Sequence, residues 1–161
     1  MRIFILLAVV AAVIAYAVLS GAWVSTSGAW YQSLEQPSWQ PPPWVFGIIW
    51  PYNFLVLIVV GIAMALGAPL SQAWAYLGLL VLTATLAIGW AYLFYVPHAL
   101  TLAAVALTAA ALLTLPLTAL AFIGRGWLGL LLIPYQIWLI LAASLSWAYA
   151  RYSIPGTGPL S

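Results

Sequence analysis

The sequence predicts an all-α integral membrane protein, a bundle of five transmembrane helices with almost no soluble part. Three observations carry this reading. Only 2% of the 161 residues are charged and 68% are apolar. Soluble domains carry about a quarter charged residues, so no water-facing surface can be built here, whereas lipid tails can solvate an apolar one. The apolar stretches approach ~20 residues, the length that crosses a hydrocarbon core. Glycine, proline and polar clusters divide them into five.

The first apolar run, Ile3 to Val24, follows Met1-Arg2, and Ala15-Tyr16-Ala17 gives it some likeness to a secretory signal peptide. Signal apolar regions run roughly 7–15 residues. A run of about 22 residues spans the core at ~1.5 Å per residue, so 3–24 is read as a retained helix. Residues 25–43 form the one long polar stretch, with Glu35, Pro37 and Pro41-Pro42-Pro43. Three consecutive prolines exclude helix there and favour a stiff polyproline conformation. Further helices are predicted at 44–66, 72–95, 99–122 and 127–152. They are separated by Gly67-Ala68-Pro69-Leu70-Ser71, Pro97-His98 and Gly124-Arg125-Gly126, and Pro155 to Pro159 form a frayed tail. The whole of 1–161 reads as one transmembrane domain. Pro116 frees the carbonyl of Leu112 and kinks the fourth helix, where Thr114 and Thr118 can offer hydroxyls to the loosened backbone. Ala106 and Ala110 permit close helix approach, within or between subunits.

The charged residues are Arg2, Glu35, Arg125 and Arg151. Five spans place Arg2 and Arg125 on one membrane face, with Arg151 and Glu35 on the other. The positive-inside rule then favours an internal N-terminus by two arginines to one. A net charge of +2 suggests no nucleic-acid partner. Without cysteine there is no disulfide or thiolate site. His98 is a lone imidazole expected to face solvent in a turn, and Glu35 has no neighbouring base or carboxylate. No metal site and no acid–base hydrolytic chemistry follow. Arg125 and Arg151 lie at helix ends, where they can snorkel. No intramembrane charge therefore supports a pump or a voltage sensor.

Ten tryptophans and nine tyrosines are more than an interfacial belt requires. Trp23, Trp74, Trp127 and Tyr152 suit such a belt, and Trp30 and Trp39 do so in part. Other rings recur at helical spacing within spans: Phe46 and Trp50; Thr83, Ala87, Trp90 and Phe94; Tyr135, Trp138, Ala142, Leu145 and Tyr149. These stripes read either as packing between helices or as the walls of a cavity for a large planar apolar ligand.

The segment Trp30-Tyr31-Gln32-Ser33-Leu34-Glu35-Gln36-Pro37-Ser38-Trp39-Gln40-Pro41-Pro42-Pro43-Trp44-Val45-Phe46, followed by Trp50, has the form W-Y-x-x-L-x-x-P-x-W-x-P-P-x-W-x-F with a further Trp four residues on. Pro134-Tyr135-Gln136-Ile137-Trp138 reads P-Y-x-x-W, and Trp90 to Phe94 reads W-x-x-x-F. Together these resemble the tryptophan-rich sensory protein / translocator protein (TspO/MBR) family. The resemblance implies a homodimeric five-helix bundle in a prokaryotic cell membrane or an organelle membrane. It also implies a receptor or transport role for porphyrins, haem precursors or sterol-like molecules, with the first loop as a lid. The implied pocket uses Trp39, Trp44, Phe46, Trp50, Trp90, Phe94, Tyr135, Trp138, Ala142 and Leu145. Leu145, Tyr149 and Arg151 fit a weak sterol-contact pattern. No cofactor is implied beyond a bound tetrapyrrole or lipid.

Where the family has two pocket asparagines, this chain has Ala87 and Ser146. Their loss shifts the expected ligand from a carboxylate-bearing porphyrin towards a sterol, carotenoid or other lipid. Two alternatives remain: an enzyme degrading bound porphyrin in light through Trp50 and Trp138, or a non-catalytic subunit of a larger membrane complex. The lid is expected to be ordered, with Trp39 capping the ligand. At 19 residues the loop is far longer than the two to eight or so usual in bundles, and it carries large apolar groups that lose free energy in water.

Five spans put the termini on opposite sides of the membrane. Tags on both, probed from one side of sealed vesicles, should show only one accessible. Two accessible tags would refute the count.

Overall fold

The computed structural model describes residues 1–24 and 28–152. The predicted start of the loop, Ser25 to Ser27, and the tail from Pro155 to Pro159 lie outside the described residues. Five long helices are each apolar enough to cross a membrane: α1 (Arg2–Val24), α3 (Pro43–Gly67), α4 (Leu70–Tyr95), α5 (Leu100–Gly124) and α6 (Gly126–Tyr152). A sixth, α2 (Gly28–Gln32), is a single short turn inside the first loop. Sequence reasoning gave that stretch no helix, because five residues are too few for a periodic signal. Pro43 also belongs to helix rather than to the stiff run before it. Its missing N–H costs nothing at the first helical position, and the extended Pro42 (φ −62°, ψ 153°) leads directly into α3.

α1 packs against α3 and α4, α4 against α5, α5 against α6, and α6 closes the ring on α3. Arg2 fixes one end of this ring. Its Nη1 donates to the carbonyls of Ala65 (2.7 Å) and Ala68 (3.0 Å), at the C-terminal end of α3. Those carbonyls have no partner within the helix, and a cation there complements the helix dipole. A Cβ on Gly67 would lie 3.6 Å from the Arg125 guanidinium, so both arginines gather at this end, as the span count requires. Tyr149, near the end of α6, instead meets Tyr31 and Gln40 of the first loop. The two ends of the described chain therefore lie at opposite ends of the bundle.

Three helices carry an internal proline: Pro51 in α3, Pro116 in α5 and Pro134 in α6. Polar side chains gather beside two of them. Thr114 Oγ1 (2.7 Å) and Gln136 Nε2 (3.0 Å) both donate to Ala111 O, one residue before the carbonyl that Pro116 frees. Tyr52 Oη donates across to Leu131 O (3.1 Å), in the turn that Pro134 loosens. The expectation for Thr118 is corrected: its hydroxyl is buried with no partner among the described residues.

Small residues decide how closely the helices approach. Ala103, Ala104, Ala110 and Ala111 of α5 are buried, whereas Ala106 is only half-buried, so the close face is turned one step from the predicted Ala106/Ala110 pair. One tight junction joins α1 to α3. A Cβ on Gly61 would lie 2.3 Å from Val9 Cγ1 and 3.3 Å from Tyr76 Cε1. Val9 is fully buried and β-branched, so it cannot rotate away. Gly61→Ala should therefore destabilise the protein by about 1–3 kcal/mol from overpacking, offset by up to ~1 kcal/mol of helix propensity. Val9→Ala in the same chain should recover most of the loss. Unfolding in detergent measures both, and an unshifted Gly61→Ala midpoint would contradict the contact.

Candidate ligand-binding site

The first loop docks on the bundle through aromatic rings. α2 turns Trp30 and Tyr31 towards the helix ends. Trp30 stacks flat on His98 (centroids 3.7 Å apart, 14° between planes) and meets Phe94 edge-on at 5.6 Å. Tyr31 lies against Phe94, Tyr95 and Tyr149 at 5.9–6.3 Å. His98 is exposed, as expected of a turn residue, but its ring is committed to Trp30. Its φ of 55° is left-handed and falls in the turn between α4 and α5, where Ala99 N–H reaches back to Leu93 O at 2.8 Å. Tyr149 Oη donates to Gln40 Oε1, tying the far part of the loop to α6. That part is itself closed by a turn from Gln40 N–H to Pro37 O at 3.0 Å.

Beneath this loop lies a cavity of about 720 Å³, within the ~300–1,000 Å³ typical of small-molecule sites. α3 supplies Phe46, Trp50 and Phe54, α4 supplies Trp90, Phe94 and Tyr95, and α6 supplies Trp138, Ala142, Leu145, Ser146 and Tyr149. Ala17, Ser20, Gly21 and Val24 of α1 complete the wall. The rings brace one another. Trp138 meets Phe46 (5.1 Å, 81°) and Trp50 (6.1 Å, 85°) edge-on, and Trp50 stacks on Phe54 (5.6 Å, 24°). Edge and offset contacts of this kind suit the ring quadrupole and hold each face in one orientation.

Polar groups sit at definite places on this apolar wall. Trp90 Nε1 donates to Ser146 Oγ at 3.2 Å, so the serine standing where an asparagine was expected holds a wall ring in place. Trp138 Nε1 is buried and has no acceptor among the described residues. Tyr31, Gln32, Gln36 and Gln40 line the mouth beside Tyr149. No described lining residue carries a formal charge.

Of the ten pocket residues that the resemblance implies, Phe46, Trp50, Trp90, Phe94, Trp138, Ala142 and Leu145 meet on this wall. Three do not. Trp44 is 67% exposed on the outside of α3; two residues before Phe46, it lies about 200° away round the helix. Trp39 is 49% exposed. The turn that carries Gln40 inward to Tyr149 carries Trp39 outward, so it does not cap the cavity. Tyr135 is fully buried one turn below Trp138, beside Tyr16. Of the sterol-contact set, Leu145 and Tyr149 reach the cavity, while Arg151 is exposed at the end of α6. Ala87 is buried off the wall.

Sequence reasoning missed the mouth glutamines, Phe54 and the α1 contribution. The recurrence of Gln32, Gln36 and Gln40 at intervals of four was a visible signal. Ala17, Ser20 and Gly21 gave none, since small residues on an apolar helix look like ordinary packing.

The chain is 32% identical to protein CrtK of Rhodobacter capsulatus over 143 residues, covering 86% of each chain. It is 28% identical to a tryptophan-rich sensory protein of Cereibacter sphaeroides over 123 residues, covering 76% of this chain and 75% of the relative. A family model described as the TspO/MBR family matches residues 4–151. The chain is an integral, multi-pass membrane protein that belongs to the TspO/MBR family.

Proposed function

We propose that this protein is a membrane receptor or carrier for a planar, mostly apolar small molecule that ends in a neutral polar group. The observation that carries the reading is the cavity itself: about 720 Å³, walled by braced aromatic rings at depth and by uncharged amides and hydroxyls at the mouth. Flat rings offer dispersion contact to a flat ligand without rearranging. The ligand's apolar body lies against Trp50, Phe54 and Trp138, and its polar end faces Gln36, Gln40 and Tyr149. The naming of one relative as a sensory protein supports a sensing or transport-related role.

The uncharged mouth favours one ligand chemistry. A carboxylate brought among neutral groups loses its hydration and gains no cation in return. A hydroxyl or carbonyl needs only the one or two hydrogen bonds that an amide gives. A sterol or similar lipid therefore fits better than a dicarboxylic porphyrin.

Two measurements test the reading. Tryptophan-fluorescence titration in detergent should show Trp50→Ala weakening ligand binding by about 1–3 kcal/mol, the worth of a stacking aromatic elsewhere, or roughly 5–150-fold. Trp44→Ala on the outer face should leave affinity within about twofold. Equal effects at both positions would remove the cavity from the explanation. In the same assay a sterol should bind more tightly than protoporphyrin. Tyr149→Phe, which frees Gln40, should cost the sterol about 0.5–1.5 kcal/mol. A porphyrin preference that survives Tyr149→Phe would reverse the assignment of the mouth.

A further inference from the structure

Below the floor of the cavity, near the middle of the bundle, lies a second cluster of polar groups. The hydroxyls of Tyr16 and Tyr135, both amide atoms of Asn53 and the hydroxyl of Thr83 are buried without a hydrogen-bond partner among the described residues. All four residues are at most 1% exposed. They come from four different helices, α1, α3, α4 and α6.

Several contacts draw them to one place. Tyr16 meets the floor rings from below, Phe54 at 5.2 Å and Trp50 at 6.2 Å, both edge-on. Asn53 precedes Phe54 on the buried side of α3. The Tyr16 and Tyr135 hydroxyls face each other without closing a direct bond. Tyr135 also faces Tyr76, whose hydroxyl reaches Leu57 O at 3.5 Å. α3 and α4 run antiparallel, so the step from Tyr76 to Thr83 climbs about 10 Å in the direction in which the step from Leu57 back to Asn53 climbs about 6 Å. Thr83 and Asn53 thus lie within about one helical turn of the same level.

Several other hydroxyls in the spans satisfy themselves on their own helix: Ser20 on Tyr16 O, Thr85 on Val81 O, Thr108 on Ala104 O and Ser144 on Leu141 O. Thr83 has the same option and does not take it. Several unpaired groups in one hydrocarbon-surrounded place cannot all be tolerated. Together they offer both donors and acceptors and no charge, and no described group of His, Cys, Asp or Glu could hold a metal. Water is the ligand that suits such a set, since it bonds two to four neutral partners at once.

We infer that Tyr16, Asn53, Thr83 and Tyr135 form a closed internal site holding a small cluster of ordered water at the centre of the bundle, separate from the ligand cavity. The water bridges the two tyrosine hydroxyls, takes up both ends of the Asn53 amide, and fixes Tyr16 under Trp50 and Phe54.

Hydroxyl-radical footprinting by X-ray radiolysis tests this in the intact protein, because bound water generates radicals in place. Tyr16 and Tyr135 should be modified several-fold faster, after correction for intrinsic reactivity, than Leu107, which is equally buried on α5. Asn53→Leu and, separately, the milder Thr83→Val should lower the labelling at both tyrosines and lower the unfolding midpoint. Labelling of Tyr16 and Tyr135 at the Leu107 rate in the parent protein would overturn the inference. So would an Asn53→Leu or Thr83→Val chain more stable than the parent, because a dry site gains from an apolar side chain of similar size. The parent measurement needs no variant to fold, and none of these readouts involves ligand binding.

Discussion

Hydrocarbon offers no hydrogen bonds, so each span must close its own backbone ladder, and each helix end or proline gap must find a partner inside the protein. Much of the structure follows from that. Arg2 is placed where the carbonyls at the end of α3 need a donor. Tyr52, Thr114 and Gln136 stand beside the turns that internal prolines loosen. Several seryl and threonyl hydroxyls bend back onto their own helices. Once these demands are met, the remaining unpaired groups stand out, and two places hold most of them: the cavity wall at Trp138 and the bundle centre around Asn53.

The aromatic residues divide by the surroundings they meet. Trp74 and Trp127, near helix starts, are 40% and 49% exposed and suit the polar–apolar boundary of a bilayer. Trp50, Trp90 and Trp138 turn inward and hold a space open, because rigid rings braced at right angles cannot collapse into it. Trp30 and Tyr31 do a third job, clamping the loop onto Phe94, Tyr95 and His98. The conformational entropy of ordering that segment is offset by rings leaving water, and the prolines before α3 reduce what is lost.

The five spans could be read from the sequence because hydrocarbon thickness sets their length and proline and glycine mark their ends. Seven of ten pocket residues were reachable through family spacing. The three misplaced ones show what spacing omits. Trp44 and Phe46 are neighbours in any motif yet lie on nearly opposite sides of a helix, and only the helix start at Pro43 decides which faces inward. The direction of Trp39 depends on one turn, from Pro37 to Gln40, that no periodicity encodes. Tyr135 shares a stripe with Trp138, but depth along the bundle separates a wall from a core. The meeting of Asn53, Thr83, Tyr16 and Tyr135 depends on the register of four helices, which no local pattern reports.

The cavity draws its deep wall from helices and its polar mouth largely from the loop. The helical rings are coupled to their neighbours, so altering Trp50 or Trp138 disturbs the packing of the bundle. Gln32 and Gln36 are exposed, and a change there touches little besides the incoming molecule. Selection can therefore retune what such a protein admits by drift in a few loop amides, at almost no cost to folding, while the aromatic chamber is inherited unchanged.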